Sequence, residues 1–174
     1  VKDKDFHIYL READIQQRIR QVASEISRDM QGKRPLLLAV LNGSFMFAAD
    51  LIRAIETPSE ITFVRMSSYE GTSSTGRVKE LIGLSEDIEG RSVIVVEDII
   101  DSGLTMKELL ETLRAKHPAE IRVASLLVKP ENLKVELSID YRCFDIPSDF
   151  IVGYGLDYDG EGRYLRDIYT IDTE

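Results

Sequence analysis

Residues 93–105 constrain the fold more than any other stretch of this chain: Val-Ile-Val-Val-Glu-Asp-Ile-Ile-Asp-Ser-Gly-Leu-Thr. Four β-branched residues in succession predict a strand buried on both faces, as in a parallel sheet. Glu97 and Asp98 end the apolar run, and residues 101–105 turn the chain. From 106 to 116 the pattern is helical, with Met106, Leu109, Leu110 and Leu113 on one stripe. A glycine-containing turn between a buried strand and a helix N-terminus suits an oxyanion, because unpaired backbone N–H groups converge there. Ser102 and Thr105 can add hydroxyl donors.

Three carboxylates beside a phosphate cradle make sense only if phosphate is not the whole ligand. Glu97, Asp98 and Asp101 would accept from ribose hydroxyls or hold a bridging Mg²⁺, so the expected ligand is a phosphorylated sugar. No Gly-x-x-x-x-Gly-Lys-Ser/Thr pattern and no Gly-x-Gly-x-x-Gly occurs. The run Val-Val-Glu-Asp-Ile-Ile-Asp-Ser-Gly-Leu-Thr closely resembles the phosphoribosyl-pyrophosphate motif of type I phosphoribosyltransferases, in the form found in hypoxanthine and hypoxanthine-guanine enzymes of bacterial type. The resemblance implies an α/β fold: a central, mostly parallel sheet flanked by helices, a small hood from the chain ends, and a flexible lid loop. Without it, the same residues read as an ordinary acidic strand-to-helix turn.

At 174 residues the chain is most simply one domain, spanning 1–174, and 43% hydrophobic with 30% charged residues is the balance of a globular protein. A net charge of −9 argues against a general nucleic-acid or anionic-membrane binder. The lone cysteine, Cys143, rules out an intrachain disulfide and reads as a small buried apolar residue. With no apolar leader at the start, the expected location is the cytoplasm.

Alternation of strands and helices predicts a doubly wound parallel sheet. Strand signals fall at 6–10, 36–41, 61–66, 78–84, 121–128 and 150–153, and helices at 11–30 and 45–55. Residues 67–77 are too polar to pack, and read either as a solvated hairpin loop or as a lid. Residues 131–149 show no clear element. Ligands of such folds bind beyond the carboxyl ends of the strands, which gathers residues 41–44, 97–105, Lys129 and Asp157 on one rim.

The resemblance assigns roles across the chain. Leu41, Asn42 and Gly43 match the pyrophosphate loop, whose first peptide is often cis in the family; many members have Lys where this chain has Asn42. Ser68 and Tyr69 match the Ser-Tyr pair of the lid. Glu97 and Asp98 match acids that hold ribose hydroxyls and hydrated Mg²⁺, and Asp101 matches the general base near the purine N7. A dry, partly apolar setting would raise the pKa of such a carboxylate. Ser102, Gly103, Leu104 and Thr105 match the 5′-phosphate cradle. Lys129 matches the donor to the exocyclic O6, Phe150 the stacking ring, the Ile151 backbone the reader of the purine edge, and Asp157 a Mg²⁺ ligand. Taken alone, Lys129 would read as a surface charge and Phe150 as core. Arg163 stands six residues after Asp157, as in the family, but Tyr164-Leu165-Arg166-Asp167 fits the family's segment better if three residues are inserted. Arg166 is therefore the expected pyrophosphate ligand, with Arg163 the alternative.

The implied activity is Mg²⁺-dependent transfer of phosphoribosyl to hypoxanthine, and to guanine through the shared O6, with a 6-oxopurine and phosphoribosyl pyrophosphate as small-molecule partners. A homodimer or homotetramer is expected by resemblance, and neither nucleic acid nor membrane. Two rivals are a nucleic-acid regulator on the same fold and a pyrimidine or xanthine phosphoribosyltransferase.

Overall fold

The computed structural model describes residues 3–70 and 77–172. Phe6–Leu10 forms β1 and Glu12–Asp29 forms α1. Ile15, Ile19, Val22, Ala23 and Ile26 recur on one face of α1 and are buried. At about 1.5–3 kcal/mol for each large aliphatic side chain, that stripe holds the helix on the sheet. Leu36–Val40 (β2) is buried at every position, which makes it a central strand. Phe45–Ala54 (α2), Glu60–Glu70 (β3) and Arg77–Ile82 (β4) follow. Ser92–Ile100 (β5), Leu104–Arg114 (α3) and Glu120–Val128 (β6) form the next β-turn-α-β unit. A 3₁₀ turn at Pro130–Asn132 leads to Tyr141–Asp145 (β7), Ile151–Val152 (β8) and Ile168–Ile171 (β9).

The main sheet runs β4-β3-β2-β5-β6-β7, parallel except for β4. Side chains alternate between two cores, as the two-residue strand period demands. Leu37, Ala39, Ile94 and Val96 meet α1 and α2 on one face. Leu36, Leu38, Val93 and Val95 meet α3 on the other. A second, antiparallel sheet, β1-β9-β8, is the expected hood, joining the beginning of the chain to its end.

Three boundaries depart from the sequence reading. Residues 67–70 are not loop: they extend β3, pairing Ser67 with Glu80 and Glu70 with Arg77. Antiparallel pairing satisfies backbone groups without demanding apolar side chains, so polarity alone misplaces the boundary. β5 continues through Glu97 and Asp98 to Ile100, held by pairing with β6 as far as Val128. Residues 131–149, expected to lack an element, contain β7, in which Tyr141 and Cys143 face the core. Burial pushes the Cys143 thiol up to about 12, which fits the packing role. Among the described residues no helix is long and apolar enough to cross a membrane.

Candidate active site

The carboxyl ends of β2, β5 and β6 bring the rim together. After β2 the peptide joining Leu41 to Asn42 is cis. The loop it opens is squeezed from two sides. A Cβ on Gly43 would sit 1.8 Å from Asp98 Oδ2, and one on Gly155 would sit 2.3 Å from the Gly43 carbonyl. Ser44 is fully buried, and its hydroxyl donates to the Val40 carbonyl, tying the loop back to its strand. The Asn42 carboxamide accepts from Arg65, a residue of β3 that no motif had marked.

Glu97 and Asp98 lie side by side at the end of β5. The Asp98 N–H donates to Glu97 Oε1 at 3.1 Å, and the Ile99 N–H donates to Asp98 Oδ1 at 2.9 Å. Burial raises the Glu97 carboxyl well above the usual range, and the hydrogen bond and negative charge of Asp98 raise it further. Just beyond, Glu97, Ile100, Asp101, Ser102, Gly103 and Thr105 are among the residues around a cavity of about 130 Å³. That is room for about four waters, the scale of a phosphate group. Gly103 caps α3 with φ +83, the Leu104 N–H reaches back to Ser102 Oγ at 3.3 Å, and Leu104 itself is exposed. The helix N-terminus thus opens onto the cavity through backbone donors.

Asp101 sits outside the dry setting expected for it: its side chain is 56% exposed. It is held instead by polar partners. Asn132 donates to its Oδ1 at 2.8 Å, and the Lys129 ammonium stands 3.8 Å from its Oδ2. Ser148 fixes Asn132 in turn, donating to its Oδ1 at 2.8 Å. Lys129 is no surface charge, since its side chain is only 11% exposed at the end of β6. Asn132 and Ser148 carried no sequence signal; the 3₁₀ turn after Lys129 brings Asn132 to Asp101, and Ser148 reaches Asn132 from beyond β7.

The hood supplies the remaining wall. Phe150 is 44% exposed, and its ring meets Tyr158 edge-on, with centroids 5.5 Å apart. Tyr158 also meets Phe6 of β1 at 5.7 Å and donates to Asp3. Ile151 is buried in register with Thr170, and the Phe150 carbonyl accepts from the Thr170 hydroxyl at 3.1 Å. Asp157 accepts from the Gly160 N–H at 2.8 Å and pairs with Arg163 at 3.3 Å.

The two arginines stand differently toward the rim. Arg163 reaches Asp157 and also donates to the Gly155 carbonyl at 2.7 Å, whereas Arg166 is 83% exposed and lies 3.9 Å from Glu12 of α1. Tyr158 and Glu161 exchange backbone hydrogen bonds across a tight turn, and Gly155 N–H donates to the Arg163 carbonyl at 2.9 Å. That hairpin folds Arg163 back toward Asp157. Ser68 and Tyr69 lie in β3, in register with Lys79 and Val78. Residues 71–76, most of the expected lid, lie outside the described residues.

Among the described residues no three acidic, histidine or cysteine side chains gather into a cage for a metal ion. Mg²⁺ does not require one. It is commonly held by one or two carboxylates with waters and ligand phosphates, and Glu97, Asp98 and Asp157 offer the hard oxygen donors it takes.

The family described as phosphoribosyl transferase domain matches residues 8–159. Hypoxanthine-guanine phosphoribosyltransferase of Mycobacterium avium is 44% identical over 172 residues, covering 95% of this chain and 85% of its own. A crystal structure of the enzyme of that name from Bacillus anthracis aligns with a TM-score of 0.85 at 40% identity, covering 97% of this chain and all of that one. Hypoxanthine phosphoribosyltransferase of Trypanosoma cruzi, solved with its product IMP, gives 0.87 at 38% identity, over 99% of this chain and 96% of its own. The strand-end carboxylates, the phosphate-sized cavity and these matches agree: this chain belongs to the phosphoribosyl transferase domain family.

Proposed function

We propose that this protein salvages purines, transferring the phosphoribosyl group of phosphoribosyl pyrophosphate to hypoxanthine, and also to guanine, to give IMP or GMP and pyrophosphate. The observation that carries the reading is the rim itself. Acids suited to ribose hydroxyls, an anion cradle at a helix N-terminus and a nearly buried lysine facing Asp101 meet at the carboxyl ends of two neighbouring strands, β5 and β6. The relatives' names supply the base.

In this reading the bond from the anomeric carbon to pyrophosphate breaks as a purine ring nitrogen bonds to that carbon. Asp101 takes the ring proton, and Asn132 and Lys129 keep its carboxylate oriented. Lys129 donates to the purine O6, Phe150 stacks on the ring, and the Ile151 backbone reads the purine edge. Ser102 to Thr105 hold the 5′-phosphate through backbone and hydroxyl donors, while Glu97 and Asp98 accept from the ribose. The loop of Leu41, Asn42 and Gly43 binds pyrophosphate with Arg163. When bound through Glu97 and Asp157, Mg²⁺ would offset negative charge on the leaving pyrophosphate. Ser68 and Tyr69 close the site against water, which would otherwise take the sugar. One domain over residues 1–174 carries all of this, and it works in the cytoplasm as a homodimer or homotetramer.

The test is release of pyrophosphate from phosphoribosyl pyrophosphate and Mg²⁺ with hypoxanthine, guanine, xanthine, adenine or uracil supplied separately. Release with hypoxanthine is expected, and with guanine as well. Release with xanthine or uracil alone would overturn the base pocket. Binding of the sugar without release would favour a regulator.

A further inference from the structure

We infer that Arg65 supplies the cation of the pyrophosphate subsite, reaching it from β3 and held there by the Asn42 carboxamide. The inference rests on the proposed reaction but concerns a residue outside every motif of the sequence. The Leu41 N–H donates to the Val64 carbonyl at 2.9 Å, so the next residue, Arg65, stands level with Asn42. Alternation along β3 turns Thr62 and Val64 inward and leaves Phe63 and Arg65 on the open face. From there the Arg65 guanidinium donates to Asn42 Oδ1.

That partner matters because it is neutral. An amide oxygen orients a guanidinium without cancelling its charge. Among the described residues, the cations Lys129 and Arg163 are already committed, Lys129 facing Asp101 at 3.8 Å and Arg163 facing Asp157 at 3.3 Å. A doubly phosphorylated leaving group beside Glu97, Asp98 and Asp157 needs positive charge that is not already paired. Guanidinium carries five N–H donors in a planar fork, so one bond to Asn42 leaves the rest for phosphate oxygens. The same geometry explains the asparagine. Lys at position 42 would set two like charges against each other, whereas Asn offers Arg65 an acceptor.

The experiment is a cycle of Arg65→Gln, Asn42→Lys and the double variant. Affinity for pyrophosphate with Mg²⁺ is read by direct titration, and KM values are measured for both substrates. Arg65→Gln is expected to weaken pyrophosphate binding by about tenfold, the scale of one charge-assisted contact, with the hypoxanthine KM unchanged. Asn42→Lys should strengthen binding far more in the Arg65→Gln background than alone. Equal effects of Asn42→Lys in both backgrounds, or unchanged affinity in Arg65→Gln, would overturn the inference. Arg65→Lys, which keeps the charge and loses the fork, serves if the glutamine variant does not fold; a loss smaller than tenfold is expected, and none would overturn it. The direct titration keeps the two readings apart, since wild type that binds pyrophosphate but transfers nothing defeats the reaction and not the subsite.

Discussion

Arg163 and Arg166 lie on one short segment, yet only Arg163 touches the rim. Arg163→Ala is expected to raise the KM for phosphoribosyl pyrophosphate by about tenfold or more, through the lost contact and a freed Asp157, while Arg166→Ala stays within about twofold. Steady-state kinetics of the two variants decides it; the reverse ranking would restore Arg166. Asp101→Asn should lower kcat by about 10²–10³, the usual scale of a general base, and leave sugar affinity close to wild type. Near-normal turnover would remove Asp101 from that role. At this scale the sequence was a good guide to residue types and a poor one to neighbours. Glu97, Asp98, Asp101 and Lys129 stand at the strand ends that had gathered them. A local match along the chain favoured Arg166, but such a match carries no information about how a turn closes in space, which is what sets Arg163 against Asp157. Arg65, Asn132 and Ser148 left no trace because what joins them to the site is contact between distant segments.

Among the elements, the loop after β2 is closely packed on two sides. Gly155, at φ +97, meets the Gly43 carbonyl, and Gly43 meets Asp98. Gly155→Ala should therefore cost stability of order 1–3 kcal/mol, measured by urea unfolding, and weaken pyrophosphate binding with it. Wild-type behaviour in both measurements would mean that the hood is not packed on the loop as described. Tyr158→Ala removes the ring that braces Phe150, and is expected to raise the hypoxanthine KM several-fold with the sugar KM unchanged; Tyr158→Phe should retain the wild-type value. An unchanged hypoxanthine KM in Tyr158→Ala would show that Phe150 needs no brace. Strands with continuous apolar runs, β2 and the first half of β5, were legible because burial on both faces writes itself into composition. β7 was not, since Tyr141 and Cys143 alternate with Arg142 and Phe144 over too short a span to register as a period. β9, Ile168–Ile171, went unmarked in the tail because its pairing depends on β1 and β8, which are remote in sequence.

Across the whole molecule, the buried titratable groups set the response to pH. Burial raises Tyr154 and Tyr141 above their ordinary value of 10.0, and Cys143 from 9.0 to about 12. Each stays protonated in the folded chain where the unfolded chain would ionise. The folded state then binds more protons, and stability must fall as pH rises past 9 and on through 10. The opposite limb belongs to Asp29, lowered chiefly by the Tyr141 hydroxyl, and Glu120, lowered chiefly by Lys33. Their contribution is present above the ordinary carboxylate values and is lost as pH falls through the lowered ones. Urea midpoints from about pH 3 to 11 should form a dome, and a flat alkaline limb would show the tyrosines and Cys143 to be solvated. The hood carries a different consequence. β1 pairs with β9 across the length of the chain, and His7 bonds Asp172 at a separation of 165 residues. A ribosome releases β1 early, with its partner strand still unmade. The main sheet, the turn after β5 and Asp101 all precede residues 168–171 in the chain, so the hood is the last part of the fold that can close.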